Sequence, residues 1–307
     1  RSTLVSTLFP YTTLFRSCQD DGIDYELLLV DNNSTDGTKK FAQELAARDH
    51  RVRYLFEPNQ GLSHARNRGI RESRGESIVF VDDDVFFSPN WLTTLASTLK
   101  RHTDALCIGG KVAVHFDSGQ PQWIDDDMLW IYGITRYGDY ERELHFPEIP
   151  RGGNMAFRRT VFEQIGMFHT SLGRKGHNLL SCDENHFLLR AAKKNVKVIY
   201  SPDMQIFHRI PASRTNQKWI LNRYYWEGIS TVAMMLQLDD KPSSRIILAG
   251  QAVKNVLSFL HQLKAIVKIS TTKKADRKSL LFKKQLDIYY RLGELRQLFF
   301  QLFSFKR

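Results

Sequence analysis

Cysteine is scarce in this chain, with three residues in 307, at Cys18, Cys107 and Cys182. They are too few and too scattered for a disulfide framework or a Cys-rich zinc site, and the setting they imply is reducing and cytoplasmic. No run of about eighteen apolar residues occurs, so the sequence predicts no transmembrane helix. The first residues also lack the basic start, apolar centre and small-residue cleavage site of a secretory signal. Acidic residues are missing from Arg1–Ser17 (RSTLVSTLFPYTTLFRS), a stretch that repeats a Ser/Thr-Leu-Phe theme and does not begin with Met. It reads as a non-native or mistranslated end, 1–17, outside the fold; a Thr-rich strand is the alternative. Acids are nearly missing again from residues 241–307, which hold three Asp or Glu against fifteen Lys or Arg. The net charge of +11 therefore belongs to this tail.

The rest alternates between two kinds of segment. Tyr25–Val30, Arg51–Phe56 and Ser77–Val81 are short apolar runs that read as strands; Thr38–Arg48, Gly61–Ser73 and Pro89–Arg101 read as helices. Strand and helix alternating at this spacing form βαβ units, hence a largely parallel sheet with helices on both faces. Strands covered on both faces are continuous apolar runs, as Leu27–Val30 and Ile78–Val81 are. Further on, Ala105–Phe116 reads as a long strand and Gly119–Pro150 as loops. Helices follow at Arg158–Ile165 and Asp183–Lys194, with strands at Val196–Tyr200 and Gln205–His208. From Asn216 the chain reads as mostly helical, with breaks at Pro242 and Lys273-Lys274. The expected division is a catalytic region 18–240 and a basic amphipathic helical tail 241–307.

Ligands of open α/β sheets bind beyond the carboxyl ends of the strands, and Asp31 and Asp82 each end a strand. On an extended segment Asp82 and Asp84 share a side while Asp83 faces away. Adjacent carboxylates repel one another, and a hard divalent cation offsets them. The bland reading, an acidic loop in solvent, is weakened by the apolar strand that delivers this triplet. A second triplet, Asp125-Asp126-Asp127, has no such strand and reads as solvated or acceptor-facing.

Six segments in order carry a resemblance. They are Leu29–Thr38 (LVDNNSTDGT), Asn59–Gly69 (NQGLSHARNRG), Phe80–Asp84 (FVDDD), Arg151–Phe157 (RGGNMAF), Cys182–Arg190 (CDENHFLLR) and Ile206–His208 (IFH). Together they resemble the inverting glycosyltransferases of family two, over roughly residues 24–230. The resemblance implies a GT-A type nucleotide-binding α/β fold and a nucleotide-sugar donor. Asp31, Asn33, Arg66, Asp82 and Asp83 would bind that donor. Asp84, Asp82 and His208 would hold Mg²⁺ or Mn²⁺. Glu184, or its neighbour Asp183, would be the general base, and Gly153, Asn154 and Trp226 would meet the acceptor or sugar. One departure stands out: the family's opening strand and Pro-x-Tyr-Asn-like turn are imitated only by Pro10-Tyr11.

Each residue also has a plainer reading. Acids at a helix start complement its dipole, Arg66 suits a solvated helix face, and His208 suits a hydrogen-bonded strand end. In the tail, Ile246–Leu248, Val253, Val256-Leu257, Leu260 and Leu263 recur at helical spacing among Lys254, Lys264 and Lys268. Such a helix lies in an anionic membrane interface or packs on the catalytic region with a basic outer face. The partners expected are a nucleotide-sugar donor, a glycan or lipid-linked acceptor and an anionic membrane surface, without nucleic acid. Two rivals remain from the sequence: an inactive binding protein with a basic tail, and a sugar-phosphate nucleotidyltransferase.

Overall fold

The computed structural model describes residues 2–6, 22–238, 245–270 and 277–304. Pro10-Tyr11, Cys18, Pro242 and Lys273-Lys274 lie outside the described residues. The chain divides into two compact units.

The first unit comprises residues 1–119, 132–171 and 183–210. Its sheet contains β1 (Ser2–Ser6), β2 (Tyr25–Asp31), β3 (Val52–Phe56), β4 (Ser77–Val81), β5 (Val85–Phe87), β6 (Cys107–Phe116), β7 (Arg142–Leu144), β8 (Asn154–Arg158) and β9 (Val198–Ile210). Their order is β3-β2-β1-β4-β8-β6-β9-β5, with β7 paired to β9. The β3-β2-β1-β4 half is parallel, and β8 enters antiparallel to β4 and β6.

Two expectations are corrected here. Ser2–Ser6, assigned above to a segment outside the fold, is a central strand: Leu4 stands opposite Leu27 on one side and Val79 on the other. A ladder partner on each side fixes a strand in a way that its own weak pattern does not reveal. The two late strands expected at Val196–Tyr200 and Gln205–His208 are one long strand, β9. Its parallel pairing to β6 slips between Gly110 and Val112, so the interruption is absorbed by a register shift rather than a loop.

All seven residues of β2 and all five of β4 are buried, and alternate ones serve opposite faces. Leu27, Leu29, Val79 and Val81 pack on one face with Ala42, Trp91 and Leu95. These come from α1 (Thr38–Arg48) and α3 (Trp91–Arg101). Leu28, Val30, Ile78 and Phe80 pack on the other with Ala65, Val161 and Phe187. These belong to α2 (Leu62–Glu72), α4 (Thr160–Ile165) and α5 (Asp183–Lys193). Burial on both faces is why these strands carry no polar alternation.

The second unit comprises residues 120–131, 172–182 and 211–307. It holds α6 (Gln217–Leu238), α7 (Arg245–Ser270) and α8 (Arg277–Ser304). A boundary was expected near residue 240; the second unit takes in the chain after Ile210, and α6 packs with the tail helices. Gly228 and Gly293 make that crossing close. A Cβ on Gly228 would collide with the Tyr290 carbonyl, and one on Gly293 with that of Tyr225. Among the described residues, no helix is long and apolar enough to cross a membrane.

Candidate functional site

The site is built at the carboxyl edge of the parallel strands in the first unit. Asp31, the last residue of β2, is 1% exposed. Its Oδ1 accepts the Ser34 N–H at 2.9 Å and its Oδ2 accepts the Tyr54 hydroxyl at 2.9 Å. Burial, and then Asp31 itself, push the Tyr54 hydroxyl up to about 12, so it remains a donor. Asn32 ties this loop to the next: its Oδ1 accepts the Gly61 N–H at 2.5 Å and its Nδ2 donates to the Asn59 carbonyl at 2.7 Å. Asn33 takes a left-handed conformation, φ 60°, which Asn tolerates better than most residues.

Beyond β4, Asp82–Asp84 form a turn into β5. The expected extended segment is therefore corrected: Asp82 and Asp84 are neighbours through the turn, not through strand alternation. Burial, and then the charge of Asp84, push the Asp82 carboxyl up, while Arg66 and His208 pull it back. Antiparallel pairing of β5 with β9 sets Val85 opposite His208. The His208 Nδ1–H donates to the Tyr132 carbonyl at 2.7 Å, and its Nε2 faces Asp84 Oδ2 at 3.3 Å. Burial works against a charge on His208, and Asp84 more than offsets it, raising the imidazole above its ordinary range.

This arrangement fits a divalent cation by its chemistry. Two mutually repelling carboxylates, only partly offset by Arg66 and His208, stand beside an imidazole whose Nδ1–H is anchored on a carbonyl, leaving Nε2 aimed at Asp84. Among the described residues, no group of three or more His, Cys, Asp or Glu side chains is placed to hold a metal ion by itself. The rest of a coordination shell would fall to diphosphate and water, as suits Mg²⁺.

The register of β4 with β8, Val81 opposite Asn154, brings the turn before β8 against the acidic turn. A Cβ on Gly153 would lie 2.7 Å from Asp82 Oδ2. A Cβ on Gly152 would lie 2.6 Å from Arg66 Nη2 and 3.4 Å from Glu184 Oε1. Two consecutive glycines thus bring one acid of the strand turn and one acid of α5 against the same short piece of backbone, where no side chain would fit.

Arg66, on α2, is 3% exposed and ion-paired to Asp183, with Glu184 Oε2 3.8 Å away. Its guanidinium lies over the rings of Phe80 and Phe168. Burial works against its charge, and Asp183, Glu184 and Asp82 outweigh that cost. The two acids are pushed apart. Burial drives Asp183 up; on Glu184 burial works the same way, and Arg66, with Asp183 beside it, more than offsets it and holds the carboxyl below its ordinary value. Asp183 is sealed at 2% side-chain exposure, whereas Glu184 retains 22%. Of the two candidates for a base, Glu184 has the access and the ionised form.

Several expected roles change. Asn154 does not offer itself to a sugar: it is fully buried, accepts from Trp91 Nε1 at 2.9 Å and donates to the carbonyls of Lys111 and Met204. Its hydrogen-bonding groups are used to lock β8 to its neighbours. Arg66, expected to bind the donor, is turned to the acid pair Asp183 and Glu184, within the electrostatic reach of Asp82. Asp83 is half-buried in the turn, and no geometry singles it out as a donor contact. Trp226 lies in the second unit, where the Arg296 guanidinium stands 5.9 Å over its ring. The triplet Asp125–Asp127, read as solvated or acceptor-facing, keeps Asp126 and Asp127 exposed, and Lys283 stands 2.6 Å from Asp125 and 3.3 Å from Asp127. Tyr54 was missed altogether: a Tyr within an amphipathic strand carries no sequence signal that its hydroxyl meets Asp31.

A nucleotide-binding sheet with acids gathered at one edge is the form of a GT-A glycosyltransferase. Residues 12–166 match the family described as glycosyl transferase family 2. The chain belongs to that family and is an enzyme of the glycosyltransferase class. It is 27% identical over 214 residues to the glucosyl-dolichyl phosphate glucuronosyltransferase of Haloferax volcanii, covering 69% of this chain and 67% of that protein. It is 29% identical over 235 residues to the putative glycosyltransferase EpsH of Bacillus subtilis, covering 75% of this chain and 66% of that one. The chain thus spans about two thirds of these relatives. In fold it is similar to the mannosyltransferase PcManGT from Pyrobaculum calidifontis in complex with GDP-Man and Mn²⁺. The TM-score is 0.60 at 18% identity, over 100% of this chain and 88% of that one.

Proposed function

We propose that this enzyme transfers a sugar with inversion from a nucleotide-sugar donor to a hydroxyl of a glycan or lipid-linked acceptor, with a divalent metal at Asp84, Asp82 and His208. The observation that carries the reading is the double glycine, Gly152-Gly153, against which Asp82 and Glu184 both stand. It lets the donor-side acid and the acceptor-side acid close on one short stretch of backbone. Asp31 and Asn33, at the end of β2, suit the nucleoside. Bound Mg²⁺ or Mn²⁺ supplies Lewis-acid neutralisation of the leaving diphosphate.

Glu184 accepts the acceptor's hydroxyl proton as that oxygen bonds to the anomeric carbon. The bond from that carbon to the diphosphate oxygen breaks, and its electron pair leaves with the nucleoside diphosphate. One base and one displacement invert the centre. Arg66 keeps Glu184 ionised for this step, and Asp183 keeps Arg66 in place. The name of the Haloferax relative supports a lipid-linked acceptor. Family membership speaks against the nucleotidyltransferase and inactive-binder readings.

The test is a thermal-shift screen of UDP, GDP, dTDP and CDP with and without Mn²⁺. A ligand at a hundredfold excess over its Kd adds about 2.7 kcal/mol of stability. One nucleotide should raise Tm only with the metal, and Asp84→Asn should abolish that rise. A metal-independent rise, or none with any of the four, would overturn the metal assignment.

A further inference from the structure

The tail helices present an apolar surface that sugar transfer does not use. On α7, Leu248 and Ala252 pack inward with Val232 of α6 and Leu298 of α8. A second apolar set on the same helix faces outward: Val253 is 59% exposed, Leu257 62%, Leu260 46% and Val267 66%, with Val256 and Leu263 beside them. Steps of three and four residues place this set on one side of the helix. A single exposed Leu is ordinary, whereas a contiguous stripe of six marks a contact surface.

The charge around the stripe selects its occupant. Lys264 stands within it, one turn from Leu260, and Lys254 flanks Val253; both are exposed. Residues 241–307 as a whole carry fifteen Lys or Arg against three Asp or Glu. A second copy docked through this face would set like charge against like. A neutral apolar partner would leave the ammonium groups stranded. An anionic lipid surface satisfies both parts, since Lys stems lie along the apolar stripe while their heads reach the headgroups. Phe299, Phe300 and Phe303 near the end of α8 are exposed as well, and apolar aromatic side chains suit a membrane-surface helix.

We propose that α7 is an in-plane membrane-surface helix, which docks the enzyme on anionic lipid through Val253, Leu257, Leu260 and Val267. The apolar stripe supplies retention and the basic residues supply the preference for negative headgroups. This reading is independent of the donor site, because lipid binding requires neither nucleotide nor acceptor.

Vesicle flotation of the intact chain tests it. Phosphatidylcholine vesicles are compared with an equal mixture of phosphatidylcholine and phosphatidylglycerol. The chain should float with the mixed vesicles, and the binding should weaken as salt is raised. Leu257→Gln with Leu260→Gln should lower the partition coefficient roughly tenfold or more. The Tm of that variant should be unchanged, since both side chains are already exposed. Equal flotation of the double variant, equal binding to phosphatidylcholine alone, or no binding to either would overturn the proposal. A dimer in sedimentation velocity that the double variant disperses would assign the stripe to a second copy instead, and would overturn it too.

Discussion

Arg66 and Asp183 form a buried ion pair that links α2 to the first residue of α5, with both side chains nearly sealed from solvent. Glu184, one residue on, shares the same guanidinium at 3.8 Å and keeps partial exposure. The pair therefore does more than join two helices: the Arg66 charge also lowers the titration of Glu184, the more exposed acid. Removing one partner of a buried pair leaves an uncompensated charge, at a cost of about 3–5 kcal/mol. Arg66→Met should lower stability by that order in denaturant unfolding, and Arg66→Lys by less, since the charge survives and the fork does not.

The pH dependence of transfer follows from the same group. Glu184 titrates below its ordinary value in the folded protein, because burial, which works against its charge, is outweighed chiefly by Arg66. Its contribution to stability is therefore complete above its unfolded value and is lost as pH falls through the lower folded one. The acid limb of kcat should lie below the ordinary carboxylate range and move to higher pH in Arg66→Lys. A limb that stays in place would separate Arg66 from the base.

Glu184→Gln should retain metal-dependent nucleotide binding while transfer drops about 10²–10⁴-fold, the usual worth of a positioned base. Asp183→Asn should behave differently, with a lower Tm and a smaller effect on kcat, because Asp183 is closed to substrate. Titration calorimetry with the nucleotide and a transfer assay separate the two variants.

The glycine pair admits no side chain. Gly153→Ala places a Cβ 2.7 Å from Asp82 Oδ2, and relieving such overpacking costs about 1–3 kcal/mol. Nucleotide affinity should fall with it, as Asp82 is displaced. Gly37→Ala is the control: nothing lies within 4 Å of its Cβ, so neither Tm nor nucleotide affinity should fall.

Asn154→Ala discriminates between a sugar contact and a structural lock. The carbonyls of Lys111 and Met204 and the Trp91 N–H all lose a partner, at roughly 1–3 kcal/mol for each buried group orphaned. A large fall in Tm is expected. Unchanged stability with a raised acceptor KM would restore the acceptor role.

The motif segments carried the site into view for a definite reason. Asp31, Asp82 and Asp84 follow apolar runs that can only be strands buried on both faces, and a parallel sheet places such ends on one edge. The alternation of Leu27 to Val30 and Ile78 to Val81 between two cores is likewise written in those runs. Ser2–Ser6 was not legible, because its pattern is weak and only its neighbours on both sides make it a central strand. Arg66 was placed on the right helix, but its buried partner Asp183 was not foreseen. Helical spacing fixes a face, but α5, more than a hundred residues on, brings the acid that claims it.

The sequence by itself determined the layered sheet, the order of its helices, the carboxylates at the strand ends and the basic character of the tail, since all of these follow from local periodicity and composition. Only the tertiary structure decided that Asn154 is taken up by the Trp91 indole and two backbone carbonyls, that Asp183 is sealed while Glu184 keeps partial exposure, and that α6 packs with the tail. These depend on contacts between residues far apart in the chain, where register and close packing, not pattern, select the partner.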